Sequence, residues 1–540
     1  MACDPPKPLM LRAGEGTADP TSPLGFELAG FHKLVGKERK ITGVREAGRV
    51  RAWALRLGDE RRILMRLTIL AASYFLTSAI ALADVTLPKI IGSHMVLQQG
   101  KPLNLWGSAD PDETVVVRFG ATHASVTADK DGKWRVQLEP QKACSDPREL
   151  KISGKNEIVL TDILVGEVWL CSGQSNMKFP MRATMHKDEE IPKADHPAIR
   201  LWQMGKMAAA QPQTHGGDDW VGCSQETVQG FSGVAYHFGE ALHRELKVPI
   251  GLIQSAVDGV SIEPWTPLGG FEKMDSLKNY EEKVRALTAE SRVDPGTPSA
   301  LYNGMIHPLV PFALRGIIWY QGEWNCFKGD AAIYTDKSDA LISGWRKAFG
   351  QEDLPFYFVQ IGPMTYTEKG WLRKSRTPET LPRFWDAQRA CLKSIPKSGM
   401  VVITDIFKGG DSLHPPNKRD VGRRLALWAL AHDYGRQGLV HSGPLYQSMK
   451  IAAGRIILAF DHIGGGLTSS DGKDLAEFMI AGEDRKFVPA RAEIKGSAVE
   501  VYSPDISQPV AVRFGWREVP EPNLANKEGL PASPFRTDPW

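Results

Sequence analysis

Val165-Gly-Glu-Val-Trp-Leu-Cys-Ser-Gly-Gln-Ser-Asn-Met177 decides how the rest of this chain is read. It opens as a run of β-formers, Val165, Val168, Trp169 and Leu170, of the length and composition of a buried strand. It then breaks into Ser172-Gly173-Gln174-Ser175-Asn176. Glycine permits a tight turn there, and Ser and Asn favour turns because their side chains bond nearby backbone. A serine just past the carboxyl end of an α/β strand stands where such folds place chemistry. Alone, Ser175 reads more readily as a plain turn residue. Its meaning depends on what the other strand ends carry.

Working outward, strand-like runs at 165–171, 249–255, 316–320, 356–361 and 400–404 alternate with amphipathic stretches. One stretch starts at Ser232, an expected N-cap, and carries Val234, Phe238, Leu242 and Leu246 at helical spacing. A second covers 331–349. A third is expected to open at Pro415-Pro416, with Val421, Leu425, Trp428 and Ala429 on one face. Strand–helix alternation implies a parallel sheet with helices on both faces. Its strand ends collect Ser175, then Asp258-Gly259, then Gln321-Gly-Glu-Trp-Asn325, then Asp405 with Asp411-Ser-Leu-His414 in the loop beyond.

These are the parts for acyl transfer. Serine is a weak nucleophile near neutral pH and needs a base within hydrogen-bond reach. His414 can be that base, because imidazole titrates close to neutral, and the positive end of the helix that follows would favour its neutral form. Asp411, three residues earlier, can orient the ring and stabilise the imidazolium. The developing oxyanion needs donors, which the backbone amides of Ser175 and Gly259 and the side chain of Asn325 are expected to supply. Gln174 and Gln321 are expected to contact substrate. Each feature has a plainer reading: a D-x-x-H pair can be a surface loop, Gly259 a turn, and Glu323 and Asn325 loop-backbone partners. Their order at successive strand ends favours the chemical one.

The flanks differ in character. Residues 84–164 are short β-runs between turn signals, expected to form a small sandwich with a structural or carbohydrate-facing role. Residues 441–518 return to β character, and Pro520 to Trp540 is expected to pack as an extended strap. At the other end, Arg61, Arg62 and Arg66 precede a largely apolar Leu67–Leu82, and Ala81-Leu82-Ala83 fits a signal-peptidase site. The expected organisation is therefore a leader at 1–64, either disordered or a mis-called start, and a signal peptide at 65–83. A β-module at 84–164, a catalytic domain at 165–440 and a C-terminal β-module with tail at 441–540 follow. Cleavage after Ala83 would make the protein secreted or periplasmic, with no membrane span left.

A net charge of +3 is too small to argue for nucleic acid or an anionic membrane surface. Beyond Cys3 the cysteines are Cys144, Cys171, Cys223, Cys326 and Cys391, widely spaced and without a C-x-x-C, so no zinc site is expected. Their odd number leaves at least one thiol unpaired within the chain.

With these residues in hand, the chain resembles the sialate O-acetylesterase family of the SGNH-hydrolase superfamily. The resemblance lies in Gly166 to Met177, in Trp319-Tyr-Gln-Gly-Glu-Trp-Asn325, and in His414-Pro-Pro-Asn-Lys418 with Val421-Gly-Arg-Arg-Leu425. Met95-Val-Leu-Gln98, Trp106-Gly107 and the tail from Asn523 to Arg536 extend it over about residues 85–540. The resemblance implies a three-layer αβα, flavodoxin-like catalytic domain flanked by β-modules. It also implies Ser175 as nucleophile, His414 as base, acetylated sugars or glycans as substrates, and no metal or organic cofactor. Two stretches depart from the family pattern. Asp258-Gly259-Val260 stands where two glycines and a threonine are usual, and Asp411 lies three rather than two residues before the histidine. Glu323 is therefore the alternative third member of the triad. Acetylxylan esterase activity, or glycan binding on a degenerate hydrolase core, are the other expectations left open.

Overall fold

The structure, a computed structural model, describes residues 84–368, 376–406 and 412–540. The leader, the signal segment and Asp411 lie outside the described residues.

One long strand organises the molecule. We number the parallel strands of the central sheet β1 (Glu157–Gly173), β2 (His196–Gln203), β3 (Ile250–Ala256), β4 (Gly316–Tyr320), β5 (Phe356–Val359) and β6 (Ser398–Val401). Their order is β6-β5-β4-β1-β3-β2, with an antiparallel edge strand Val221–Cys223 beside β2. The chain leaves β1 toward β2 and β3 on one side and crosses to β4, β5 and β6 on the other, so β1 is the topological switch point. Ala256 of β3 and Tyr320 of β4 both pair with Gly173, so three strands end level. Gly173 has φ +140°, and a Cβ on it would sit 2.2 Å from the Tyr320 carbonyl oxygen. Only glycine permits that approach.

Side chains of β1 alternate between two cores. Val168 and Leu170 join the cluster containing Leu341, Trp345, Phe384 and Trp385. These belong to helices that we call α2 (Tyr334–Phe349) and α3 (Thr380–Ser394). Trp169 and Cys171 face the opposite cluster, with Phe238 and Leu242 of α1 (Gly233–Leu246) and Val421 and Leu425 of α4 (Lys418–His432). This is the three-layer αβα arrangement that strand–helix alternation implies. Ser232 caps α1 as expected, its side chain accepting from the Ala235 amide at 3.0 Å. The two prolines, expected inside the first turn of α4, lie before it. Asn417 is the cap, accepting from the Asp420 amide at 3.2 Å.

The expected boundary between residues 164 and 165 falls inside β1. Residues Glu157–Asp162 alternate in exposure, because this half pairs antiparallel with Cys144–Ser153 over a half-solvated sheet. From Ile163 onward every residue of β1 is buried, as expected of a parallel strand covered on both faces. The change in composition at 165 is thus a change of environment along one strand. The β-module's Val115, Val117, Leu150 and Ile152 share one apolar cluster with the catalytic layer. β2 escaped the sequence pattern because it carries Pro197 and Arg200. Arg200 is buried and bonds Asp162 of β1 at 3.0 Å, which compensates its charge.

Two antiparallel four-stranded sheets with their own core, including Ile456, Leu458, Ile480, Val501 and Phe514, form the C-terminal module. The tail is integrated into it more firmly than a strap. Leu524–Asn526 pairs with Leu467–Ser469, and the buried Asn526 donates to the Ser442 carbonyl at 2.9 Å. The five described cysteines are all free thiols. No helix among the described residues is long and apolar enough to cross a membrane.

Candidate active site

Past Gly173 the backbone stays extended at Gln174 and turns into a one-turn helix, Ser175–Lys178. His414 lies in the loop between β6 and α4. The two meet at 2.7 Å, His414 Nε2 to Ser175 Oγ, both half-buried. With neutral imidazole the hydroxyl donates and the ring accepts, the arrangement that general-base activation requires. Burial lowers the pKa of His414, and the Lys418 ammonium lowers it further, against the opposing pull of Asp258. The nearby positive charge is therefore a lysine in the first turn of α4. The Phe179 ring lies beside the imidazole at 6.2 Å between centroids.

Directly behind this pair is a buried polar layer. Asn176, next to Ser175, donates to Glu323 Oε1 at 2.5 Å and to the carbonyl of Leu413, next to His414, at 3.0 Å. Its own Oδ1 accepts from Lys418 Nζ. Glu323 and Lys418 are buried. Burial pushes the Glu323 carboxyl up to about 7, against the pull of Asn176 and Lys418. The same burial pulls the Lys418 ammonium down to about 7, against the attraction of Glu323. Among the described residues, Glu323 bonds to Asn176 and to no histidine.

A second network holds the loop after β3. Gln321 Nε2 reaches Asn325 Oδ1 at 2.7 Å, Gln174 Oε1 at 3.2 Å and the Val260 carbonyl at 3.2 Å. Asn325 Oδ1 also accepts from the Ile262 amide at 3.0 Å, and its Nδ2 donates to Asp330 at 2.8 Å. This corrects the expected oxyanion role of Asn325: its donor is committed to a carboxylate and the side chain is fully buried. Gln174 and Gln321, expected to touch substrate, are buried too and tie the nucleophile loop to the β3 loop instead. Gly259 stands exposed at the end of that loop with φ +65°, a conformation natural to glycine. Beside it Asp258 pairs with Lys178 at 2.6 Å, linking the two loops at the surface.

Of the site residues expected from sequence, Ser175 and His414 are in contact and Glu323 reaches them through Asn176. Sequence reasoning passed over Asn176 and Lys418. Both stand within the recognised motifs, one residue after the serine and four after the histidine. Among the described residues no cluster of three or more His, Cys, Asp or Glu is arranged to hold a metal ion.

Comparison with known proteins bears on the class of protein. Residues 165–430 match the family model for carbohydrate esterase, sialic acid-specific acetylesterase. The chain is 28% identical to human sialate O-acetylesterase over 495 residues, covering 82% of this chain and 91% of the relative. To the mouse sialate O-acetylesterase it is 27% identical over 493 residues, 80% and 89% respectively. The crystal structure of a carbohydrate acetylesterase from Xanthomonas citri superposes with a TM-score of 0.76 at 35% identity, covering 84% of this chain and all of that one. Fold and relatives together define a carbohydrate esterase, a hydrolase of carboxylic esters with the SGNH architecture. The chain belongs to the sialate O-acetylesterase family.

Proposed function

We propose that this esterase removes O-acetyl groups from sugar hydroxyls through an acetyl-enzyme on Ser175, with O-acetylated sialic acid as the substrate. Ser175 Oγ attacks the acetyl carbonyl while His414 Nε2 takes its proton. The tetrahedral oxyanion is held by the backbone amides of Ser175 and Gly259. At the first position of a helix the Ser175 amide has no partner within the helix. The intermediate collapses, and the proton on His414 passes to the departing sugar oxygen. Water, deprotonated by the same imidazole, then attacks acetyl-Ser175 and releases acetate. Asp411 is the residue we assign to orient the imidazole, with Glu323 as its alternative.

The 2.7 Å contact between His414 Nε2 and Ser175 Oγ carries this reading and weighs against a purely glycan-binding role. The names of the mammalian relatives support sialate as the sugar. The bacterial relative, named only a carbohydrate acetylesterase, supports testing other acetylated sugars, acetylxylan among them. Acetate release is to be measured over a panel of acetylated glycans with the native enzyme and Ser175→Ala. The variant is expected to lose on the order of 10⁶ in turnover while keeping its circular dichroism. Full activity in a folded Ser175→Ala would sink the assignment.

Export belongs to the same proposal. The basic flank, apolar run and Ala81-Leu82-Ala83 site support a mature N-terminus at Asp84. Mass spectrometry of the native protein is expected to find that terminus; a mature protein that retains residues 1–64 contradicts export.

A further inference from the structure

We propose that Lys418 is a positioning residue for Ser175 and His414: its buried ammonium, bonded to Asn176, locks the nucleophile helix to the histidine loop. This rests on the reading of Ser175 and His414 as nucleophile and base.

The geometry is specific. Asn176 follows Ser175 in sequence, and Leu413 precedes His414. One amide side chain therefore joins the neighbours of both reacting residues, through its 3.0 Å bond to the Leu413 carbonyl. The orientation of that amide is fixed by its partners. A carbonyl oxygen only accepts, and a lysine ammonium only donates, so Nδ2 must face Leu413 and Oδ1 must face Lys418. Remove the ammonium and Oδ1 is left buried without its donor. The amide then keeps only its two donor bonds, to Glu323 and Leu413, and the Ser175–His414 spacing loses part of its brace.

Retaining a lysine here is costly. Lys418 is fully buried, and its polar contacts are an amide oxygen and the faces of Phe179 and Tyr320, 4.9 and 5.1 Å from the nitrogen. The carboxylate of Glu323 acts on it through the intervening Asn176. An apolar side chain of similar volume would fill the site without the desolvation cost of an ammonium. The charge has a use, because it lies close enough to His414 to disfavour imidazolium. The groups acting on His414 from the surrounding elements are Ser175 of the nucleophile helix, Asp258 of the β3 loop and Lys418 of α4. Lys178 is paired with Asp258. Asp411, outside the described residues, precedes His414 on its own loop.

The sign of the pH effect follows. Below about 7 Lys418 carries its proton, so it is charged throughout the range where His414 titrates, below the ordinary imidazole value of 6.5. Removing the charge raises the pKa of His414, and the acid limb of kcat/KM moves to higher pH.

The test uses Lys418→Met and the double variant Lys418→Met/Glu323→Gln, in which no buried carboxylate is left uncompensated and the introduced glutamine can still accept from Asn176. Acetate release is measured across pH, with thermal melts and near-ultraviolet circular dichroism as folding checks. The folded variant is expected to lose on the order of 10²-fold in kcat with little change in KM, the scale of a small misplacement of reacting groups. Its acid limb is expected at higher pH. Unchanged kcat with an unmoved limb overturns the proposal. Lost rate with an unmoved limb, or a double variant that does not fold, makes Lys418 structural only and overturns it too. Ser175→Ala in parallel separates the two levels: if it is inactive while the double variant is normal, only the role of Lys418 falls, whereas an active Ser175→Ala removes both.

Discussion

Two lysines, Lys418 and Lys337, are completely buried on either side of the candidate site, and their surroundings push them in opposite directions. Lys337 of α2 bonds Glu263 at 2.6 Å and Asp330 at 2.8 Å. Burial alone would lower its pKa, but the two carboxylates outweigh it and raise it well above the ordinary value. Glu263 answers in kind: burial would raise it, and Lys337 and Lys328 hold it down at about 2. Among the described residues the Lys418 ammonium has only an amide oxygen in hydrogen-bond contact, and burial wins, bringing it to about 7. A lysine between two carboxylates stays charged at every pH the protein will meet, which suits a brace. A lysine near 7 sits where its charge can bear on chemistry. Both side chains are shut off from solvent, and their partners differ.

The contrast predicts that changes around Lys418 and His414 act on rate and changes around Lys337 act on stability. The largest rate effect after loss of the nucleophile is expected at the residue that orients the imidazole. Asp411→Asn is expected to lower kcat on the order of 10⁴-fold with little change in KM. Glu323→Gln keeps an acceptor for Asn176 and is expected to cost far less. Side-by-side kinetics with folding checked decides between them. The reverse ranking would move the orienting role to Glu323 and make Asp411 a loop residue.

A smaller effect on turnover, and a clear one on folding, is expected at the other lysine. Lys337→Met leaves Glu263 and Asp330 buried or half-buried without their common partner, a loss of about 3–5 kcal/mol by analogy with broken buried pairs. Denaturant melts read it directly. The opposite signature, an unchanged midpoint with a large fall in kcat, would erase the distinction between the two lysines.

Much of this was legible in the primary structure. The buried run at 165–171, its break at Gly173 and the later strand ends singled out Ser175 and His414, which the fold brings within 2.7 Å of each other. Patterns of two and of 3.6 residues located most of the core strands and α1. What stayed hidden depends on side chains that meet across the sheet. Gln321 and Asn325 look like exposed loop residues in sequence, yet each is fully buried in a network with Gln174, Ile262 and Asp330. Local sequence could not reveal that an asparagine at a strand end donates to a carboxylate five residues on in place of an oxyanion. The same holds for Lys418, whose position one helical turn past His414 reads as a solvated first-turn charge until Asn176 and Phe179 close over it. The run through 164 and 165 was read as a boundary because one strand passes from a half-solvated sheet into a doubly covered one.

The central claim is that acetyl transfer passes through Ser175 Oγ. Its most direct test is to mix the native enzyme with an aryl acetate, quench in acid within the first turnovers and map the protein by peptide mass spectrometry. An acetyl group is predicted on the peptide that carries Ser175, appearing with the burst of phenol, decaying as acetate is released and absent from Ser175→Ala. Steady release of acetate with the label on another residue, or undiminished in Ser175→Ala, would contradict the account.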